Sequence, residues 1–275
     1  MKSVDLYQRF ISRKQVSGLS ERTIDAYNYA ILPFIQICPE LPVSSETIEN
    51  FIYYNQWSQQ KRAFVFRHLR AFVRWYSRQL KQDNPMLDVL KPRVKLEPIR
   101  YLSKEEMGRL YAEVSVNKKH QAIILTLLDT GIRVGELLSI KVCNLDNNIL
   151  QVNGKSGPRV VAISPIISQL LKDIAPSTGY VFTVDRHTVY RITSYYLNKI
   201  GFDGKKGPHI FRHTFAIHAL RNGMDIISVS KTMGHKTIVM TEQYLRLAQK
   251  DITETHSKFS PLNGVLNPLQ LMEVR

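Results

Sequence analysis

Apolar residues in the first ninety positions recur every three or four residues, a spacing that predicts helices throughout this region. Polar, turn-forming stretches at residues 17–20, 38–45 and 55–58 divide it into four predicted helices. The fourth helix, at residues 59–81, has a continuous apolar row along one face. That row consists of Val65, Leu69, Phe72, Val73, Tyr76 and Leu80. The pattern therefore predicts a helical N-terminal domain with its own hydrophobic core.

The opposite face of the fourth predicted helix is basic. Its cations are Arg67, Arg70, Arg74, Arg78 and Lys81. A solvated basic face is the ordinary explanation of such a stripe. However, no aspartate or glutamate lies between residues 59 and 82. The lack of compensating carboxylates favours contact with the phosphates of a nucleic acid.

The segment around residues 91–100 is predicted to be an extended linker, because Pro92 and Pro98 block a helix and favour stretched backbone. It is also basic, and we expect its cations to contact the nucleic acid as well. These cations are Lys91, Arg93 and Lys95. The predicted organisation is a helical domain at residues 1–91, a linker at 92–100, a second domain at 101–261 and a tail at 262–275.

After residue 101 the helical periodicity resumes, with one interruption. Ser103 followed by Glu106 is typical of a capping box at a helix start. Helices are predicted at residues 104–115, 119–129, 166–174, 187–200, 210–222, 225–233 and from 239 onward, and strands at 142–145, 149–152 and 159–163. The predicted fold class is mainly α, with a small antiparallel β-sheet in the second domain.

The chain of 275 residues carries 38 lysines and arginines against 23 aspartates and glutamates, a formal charge of +15. Such an excess favours a polyanionic partner, nucleic acid before an anionic membrane. No apolar run reaches the length of a membrane span and no secretory signal opens the chain, so we expect a cytoplasmic, nucleoid-associated protein. Cys38 and Cys143 fall in different predicted domains, which favours two reduced thiols over a disulfide.

Six polar residues in the second domain together suit one reaction. They are Arg133, Lys155, His209, Arg212, His235 and Tyr244. A phenol can attack a phosphodiester and store the broken bond as an ester, while guanidinium, imidazole and ammonium groups stabilise the developing charge. The i, i+3 spacing of His209 and Arg212 places an imidazole and a guanidinium on one helix face.

At these positions the chain resembles the tyrosine recombinase (phage integrase) family. The shared pattern, over about residues 101–250, is Thr-Gly-x-Arg-x-x-Glu-Leu, a hairpin lysine, His-x-x-Arg, Gly-His and a tyrosine nine residues later. The resemblance implies a helical, SAM-like core-binding domain followed by a tyrosine recombinase catalytic domain, as in Xer-like site-specific recombinases. It also implies that the chain acts on a double-stranded DNA recombination site, as a homo-tetramer that exchanges strands through a Holliday junction. Accessory DNA-binding proteins are further partners consistent with the resemblance.

The resemblance implies a role for each of the six residues. Tyr244 is the expected nucleophile, which forms a 3′-phosphotyrosyl intermediate, and His209 is its base. Arg133 and Arg212 would hold the non-bridging phosphate oxygens, since a planar guanidinium matches two such oxygens. The ordinary alternatives are a tyrosine used only for packing and arginines in helix-surface salt bridges, such as Arg133 with Glu136.

Lys155, in or beside the predicted hairpin turn, resembles the family's general acid, which protonates the departing 5′-hydroxyl oxygen. A solvated turn lysine is the alternative, and Lys141 and Lys172 are its rivals. His235 would form a hydrogen bond with the phosphoryl oxygen. The alternative for this residue is a structural contact at a helix turn.

Two other functions stay open at this point. A type IB topoisomerase shares the tyrosine, arginine and histidine chemistry but relaxes one strand, and a DNA-binding regulator could keep the fold and use Tyr244 only for packing. The apolar tail is hypothesised to contact a neighbouring protomer. Its apolar residues are Leu262, Val265, Leu266, Leu269 and Leu271. The DNA sequence recognised, and the choice between integration, excision and dimer resolution, are not determined.

No metal and no cofactor is expected. The segment at residues 154–156 resembles the end of a phosphate-binding loop, but Ile149 stands where that motif requires glycine. His209, His213 and His218 lack a carboxylate or cysteine to complete a zinc site. The two arginines already supply the positive charge that a metal ion would bring.

Overall fold

The computed structural model describes residues 1–94, 98–154, 157–235 and 237–248 of the chain. The chain divides into two compact units, Met1–Glu97 and Pro98–Arg275. The division falls within the segment 92–100 that is predicted to be a linker. Lys95, Lys155 and the predicted tail at residues 262–275 lie outside the described residues.

The first unit is helical. Its helices are α1 (Ser3–Val16), α2 (Glu21–Ile37), α3 (Ser45–Tyr53) and α4 (Gln59–Leu80), followed by a 3₁₀ turn at Pro85–Leu87. Serine side chains cap two of them, because the N–H groups of Thr47 and Lys61 each donate at 3.2 Å to Ser44 Oγ and Ser58 Oγ. The helices and their breaks follow the predicted pattern, whereas the 3₁₀ turn was not predicted.

Helix α4 buries one face in an aromatic core and exposes the other. The Phe72 ring lies 5.3 Å from the Phe10 ring of α1 and 5.4 Å from the Tyr76 ring, both edge-on. The cations that α4 exposes are Arg67, Arg70, Arg74 and Arg78. Lys81 follows in the left-handed conformation, with a φ of 51°. It therefore departs from the regular helical row in which the sequence pattern places it.

The second unit is mainly helical and includes a three-stranded antiparallel sheet of order β1-β2-β3. The elements are α5 (Lys104–Val114), α6 (Lys118–Thr130), α7 (Val134–Leu138), β1 (Leu145–Asp146), β2 (Ile149–Gly154), β3 (Gly157–Ala162), α8 (Pro165–Ile174), α9 (Arg186–Lys199), α10 (His209–Arg221), α11 (Ile226–Met233) and α12 (Val239–Ala248). This architecture confirms the predicted fold class. In the part of the chain that the structure describes, no helix is long and apolar enough to cross a membrane.

The first strand of the predicted sheet is wrong in detail. A 3₁₀ turn occupies Val142–Asn144, because the backbone N–H of Lys141 donates to Asn144 Oδ1 at 3.1 Å and closes the chain on itself. Of the strand predicted at residues 142–145, only Leu145 belongs to β1 and pairs with β2. The short helix α7 was not predicted either. The capping box at the start of α5 is confirmed, with Ser103 N–H donating to Glu106 Oε2 at 2.8 Å.

Helix α10 packs against α6 on one side and α12 on the other. Phe211 enters the larger hydrophobic core, whereas Ala216 and Ile217 pack with residues of α11 and α12. The N–H of Leu102 donates to Thr214 Oγ1 at 2.9 Å and ties the entry segment to the helix. Because both sides of α10 are covered, its first turn is held between the loop after α6 and the end of α11.

Candidate active site

The carboxyl end of α11 collects three guanidinium groups. The carbonyl oxygens of residues 232, 233 and 234 accept, in order, from Arg159 Nε at 3.0 Å, Arg212 Nη2 at 2.7 Å and Arg133 Nη2 at 3.3 Å. The last carbonyls of a helix have no partner within the helix, and the helix dipole makes this end attractive to cations. Side chains from three separate segments of the sequence therefore meet at one helix terminus.

Arg212, in the first turn of α10, is almost fully buried, with 5% of its surface exposed. Its second terminal nitrogen donates to the carbonyl of Gly131, in the loop before α7. Burial, assisted by the positive charge of Arg133, lowers the pKa of Arg212 to about 10. The group therefore stays charged at neutral pH. A helix-surface salt bridge, the alternative for this residue, does not describe a side chain so deeply buried.

Arg133 precedes α7 and is held by the buried Glu136. Its backbone N–H donates to Glu136 Oε2 at 2.7 Å, and its Nη1 lies 3.3 Å from Oε1. About one third of the Arg133 side chain, 32%, is exposed. The salt bridge with Glu136, offered as the ordinary alternative, is present, yet the guanidinium keeps an open side.

Arg159 on β3 is the strongest partner of Glu136. Its terminal nitrogens donate to the two carboxylate oxygens at 2.6 and 2.9 Å, a fork in which both hydrogen bonds are charge-assisted. Sequence reasoning missed this residue. A signal was present, because strand alternation places Arg159 on the same face as the buried Val161. An inward-facing arginine requires a carboxylate partner.

The charge balance around Glu136 keeps it ionised. Burial by itself raises the pKa of this carboxyl, but the hydrogen bonds from Arg159 and Arg133, together with their charges, hold the pKa below its ordinary value. The end of β2 lies against the same carboxylate, since a Cβ placed on Gly154 would collide with Glu136 Oε1. The described part of β2 therefore ends beside the cluster of arginines.

Tyr244 on α12 is buried, with 3% of its surface exposed. Its hydroxyl lies 2.9 Å from Nδ1 of His213, which is on α10 one residue after Arg212. Burial raises the pKa of the Tyr244 phenol, while the charge of Arg212 acts in the opposite direction. His213 is the second residue missed as part of this site, because its spacing from His209 was considered only for zinc.

Of the two predicted histidines, His235 is the one that contacts Tyr244. His235 Nδ1 is 2.7 Å from Thr241 Oγ1, and its ring stacks on that of Tyr244 at 6.3 Å between centroids. His209 is exposed at the start of α10. Partial desolvation of its ring, together with the charges of Arg212 and Arg133, lowers the pKa of His209.

The structure brings together five of the six predicted residues. These are Arg133, His209, Arg212, His235 and Tyr244. The sixth, Lys155, lies outside the described residues. Arg159, Glu136 and His213 join the group without having been predicted as site residues. Among the described residues, no group of three or more histidines, cysteines, aspartates or glutamates could hold a metal ion.

We expect the fold to lose stability as the pH falls from 7 to 5. Burial, with neighbouring positive charges, lowers the pKa of His213 and of His235 to about 4. An unfolded histidine titrates near 6.5, so in this window the unfolded chain binds protons that the folded chain does not. The free energy of unfolding should fall by at most about 1.4 kcal/mol per pH unit for each histidine, and by less where the ring meets solvent. Urea unfolding followed by circular dichroism at pH 7, 6 and 5 measures it.

A His213→Gln variant provides the matched control, because it removes one of the two strongly shifted groups. Its pH dependence should be flatter than that of the unmodified chain. The lowered pKa of Glu136 keeps that carboxylate charged throughout the window, so the histidines dominate the change. Stability that stays constant between pH 7 and 5 would contradict the prediction.

The predicted DNA-contacting cations of the first unit that the structure describes are exposed, on α4 or in the segments that follow it. Four of them line a groove of about 790 Å³ together with Phe66 and Val94, and these four are Arg67, Arg70, Lys91 and Arg93. No acidic residue is among the described residues that line this groove. Arg74, Arg78 and Lys81 are exposed outside it. Lys95 lies outside the described residues.

The sequence pattern of the phage integrase family matches residues 100–251, more than half of the chain. This chain belongs to the phage integrase family. All six residues predicted from the resemblance lie within the matched segment. The predicted family is therefore confirmed.

Known tyrosine recombinases are similar to this integrase-family chain over nearly its whole length. It is 30% identical over 273 residues to tyrosine recombinase XerA of Saccharolobus solfataricus, across 93% of this chain and 93% of that protein. It is 24% identical to tyrosine recombinase XerD of Shewanella oneidensis, across 89% and 92% of the two chains.

Solved structures share the fold. A lambda integrase dimer bound to a COC′ core site matches with a TM-score of 0.76 at 16% identity, over 91% of this chain and 98% of that one. The XerH site-specific recombinase bound to a palindromic difH substrate, in a post-cleavage complex, matches with a TM-score of 0.70 at 18% identity, over 91% and 83%. At these identities the likeness concerns the fold alone.

Proposed function

We propose that this integrase-family chain carries out site-specific DNA recombination, breaking and rejoining DNA through a covalent 3′-phosphotyrosyl intermediate. One observation carries the proposal: the Tyr244 phenol lies among the charges of Arg133 and Arg212, beside two histidines that burial keeps neutral at pH 7. Membership of the phage integrase family and similarity to tyrosine recombinases support the same function. The comparisons favour neither a topoisomerase nor a non-catalytic regulator.

The scissile phosphate is proposed to bind to Arg133 and Arg212. Each guanidinium has five N–H groups, and the carbonyls at the end of α11 use only some of them. The remaining donors would bind non-bridging phosphate oxygens, on which charge accumulates in the transition state. The same carbonyl contacts hold the donors in place before the phosphate arrives, so little reorganisation is required at the moment of reaction.

Tyr244 is the proposed nucleophile. Its oxygen would form a bond to phosphorus as the bond from phosphorus to the 5′ oxygen breaks, and His209 would accept the phenol proton. In the structure the hydroxyl is buried and bonded to His213. Attack therefore requires α12 to shift, so that the hydroxyl leaves His213 and reaches the phosphate. His235, stacked on the same ring, is proposed to form a hydrogen bond with a phosphoryl oxygen.

Lys155 is the proposed general acid, which gives a proton to the departing 5′ oxygen. The position of Gly154, against the carboxylate shared by Arg133 and Arg159, supports a place for this turn beside the arginines. Because the phosphotyrosyl ester conserves the energy of the broken bond, rejoining to another strand requires no ATP. No metal and no cofactor takes part in the proposed steps.

The proposed partner is double-stranded DNA containing a recombination site. XerH and lambda integrase were solved bound to difH and to a core site respectively, which supports this assignment. We further propose a homo-tetramer on DNA that exchanges strands through a Holliday junction, with contacts between protomers made by residues 262–275. The same proposal includes accessory DNA-binding proteins as partners. It places the protein on the nucleoid, in the cytoplasm.

A nicked suicide duplex tests the function directly. Cleavage of such a substrate releases a short fragment, so the covalent adduct accumulates and can be seen under denaturing electrophoresis. Mass spectrometry of the adduct should identify Tyr244 as the modified residue. Relaxation of supercoiled DNA without site preference would favour the topoisomerase instead, and DNA binding without any adduct would favour the regulator.

Removing two arginines of the basic groove should weaken DNA binding and its salt dependence together. Each phosphate contact contributes about 0.9 to the slope of log affinity against log salt concentration. In the double variant Arg67→Ala, Arg70→Ala the magnitude of this slope should fall by about 2. Fluorescence anisotropy with a labelled duplex at several salt concentrations measures it.

Arg22→Ala is a suitable control, because Arg22 is also exposed on a helix of the first unit but lies on α2 and does not line the groove. Its slope should match that of the unmodified chain. An equal loss in both proteins would show that overall charge, and not the groove, governs binding.

A further inference from the structure

Arg159 has no task in the proposed catalytic steps, although it makes shorter hydrogen bonds to Glu136 than Arg133 does. Its fork to Glu136 has two short hydrogen bonds, and its Nε donates to the Thr232 carbonyl at 3.0 Å. Only 14% of the side chain is exposed. With its terminal nitrogens and its Nε committed to protein acceptors, Arg159 is poorly placed to bind a phosphate itself.

The carboxylate of Glu136 is shared unequally between two arginines. Arg159 donates to both oxygens, at 2.6 and 2.9 Å. The side chain of Arg133 makes a single contact with it, at 3.3 Å. A buried carboxylate that loses its main partner is strongly destabilised and will take the nearest available cation. Here that cation is Arg133, which already lies beside it.

We propose that Arg159 is a positioning residue: it occupies the Glu136 carboxylate and so leaves the Arg133 guanidinium free to bind the scissile phosphate. This inference rests on the phosphate-binding role proposed for Arg133. Without Arg159, Glu136 would draw Arg133 into a two-bond fork. The site would then lose both the charge and the geometry of one of its two phosphate-binding groups.

The surroundings of the fork are shaped to fit a guanidinium. A Cβ on Gly234 would lie 2.9 Å from the central carbon of the Arg159 guanidinium. The backbone can approach the guanidinium this closely because glycine has no side chain. Gly154 leaves the corresponding space beside the Glu136 carboxylate. A lysine at position 159 would keep the charge but could not bond both carboxylate oxygens in one plane.

The test compares single-turnover cleavage of a suicide duplex by Arg159→Ala, Glu136→Gln and the double variant. Arg159→Ala should lower the cleavage rate about 100-fold, the order expected when a reacting group is misplaced by about 1 Å. DNA affinity should not change. Adding Glu136→Gln removes the carboxylate that captures Arg133 and should raise the rate of Arg159→Ala about tenfold, within the range for contacting residues. Arg109→Ala, an exposed arginine of α5, serves as the control and should cleave normally.

Removing the unpaired carboxylate would also restore lost stability, so the rescue counts only for folded protein, and the position of Arg133 separates positioning from a structural role. Rates are compared below the unfolding temperature of each variant. If Arg159→Ala does not fold, Arg159→Lys takes its place in both backgrounds, with a smaller loss and the same rescue by Glu136→Gln. A double variant no faster than the single overturns the proposal.

A crystal structure of Arg159→Ala, or of Arg159→Lys in its place, gives a readout that does not depend on activity. Arg133 should move into a two-bond contact with Glu136, and an unchanged Arg133 overturns the proposal as well. Failure of the unmodified chain to form an adduct would refute the proposed recombination. The position of Arg133 in the variant would still decide whether Arg159 controls it.

Discussion

Replacing Tyr244 with phenylalanine is expected to abolish covalent attachment of the chain to DNA, with DNA affinity unchanged. The phenol oxygen is the nucleophile of the proposed reaction, and phenylalanine has no group that can replace it. The variant loses one partly buried hydrogen bond to His213 Nδ1, so its free energy of unfolding should fall by only about 1 kcal/mol. Denaturing electrophoresis of a suicide-substrate reaction measures the adduct, and anisotropy measures binding.

Tyr196 offers a closely matched control within the same unit. It is buried, with 5% of its surface exposed, and its hydroxyl lies 3.2 Å from Nδ1 of His120. Tyr196→Phe therefore removes a comparable hydroxyl-to-imidazole contact at a site outside the cluster, and adduct formation should be unchanged. A Tyr244→Phe protein that still becomes linked to DNA would end the case for this nucleophile.

Replacing Arg212 with alanine should lower the cleavage rate by about 100-fold to 1000-fold, the loss typical of removing one preorganised donor from a developing anion. The fold should suffer as well, because the carbonyls of Gly131 and Met233 lose a buried donor. An unpaired buried polar group costs about 1–3 kcal/mol. Single-turnover cleavage and urea unfolding measure the two effects separately.

Arg133→Ala separates catalysis from stability at the same site. Its side chain is one-third exposed, and its contacts to the end of α11 are longer, at 3.3 and 3.4 Å. It should lose a similar factor in rate with a smaller loss of stability than Arg212→Ala. Arg100→Ala is the control, since Arg100 also donates to a backbone carbonyl, at 2.8 Å, but lies outside the cluster. If either active-site variant loses DNA affinity as severely as cleavage, the residue supports the fold and not the reaction.

Helices were predicted well because their signals are local. The apolar row of α4 recurs every three or four residues, and the capping box of α5 needs only Ser103 and Glu106. The first predicted strand failed for a related reason. Val142 and its neighbours have strand-forming side chains, but the hydrogen bond between Lys141 and Asn144 closes a 3₁₀ turn there. Here the side-chain hydrogen bond of Asn144 outweighs the strand propensity of Val142.

The site was predicted only where a recognisable motif carried the residue. Arg133, Arg212 and Tyr244 each sit in such a motif. Arg159 and His213 do not, although they hold Glu136 and the Tyr244 hydroxyl in the structure. Their importance depends on partners 23 and 31 positions away in the chain. No spacing rule for a single helix or strand reaches that far.

The longer helices, the basic face of α4 and the identity of the chemically capable side chains were determined by the sequence alone, because periodicity and residue chemistry are properties of neighbouring positions. The tertiary structure decided which of those side chains share one space. Packing of α10 between α6 and α12 brings Arg212 to the end of α11, where the last carbonyls of that helix accept from guanidinium groups of three segments. That convergence is a property of the packed core, since the attraction of the helix end acts only after folding has brought the distant segments within a few ångströms.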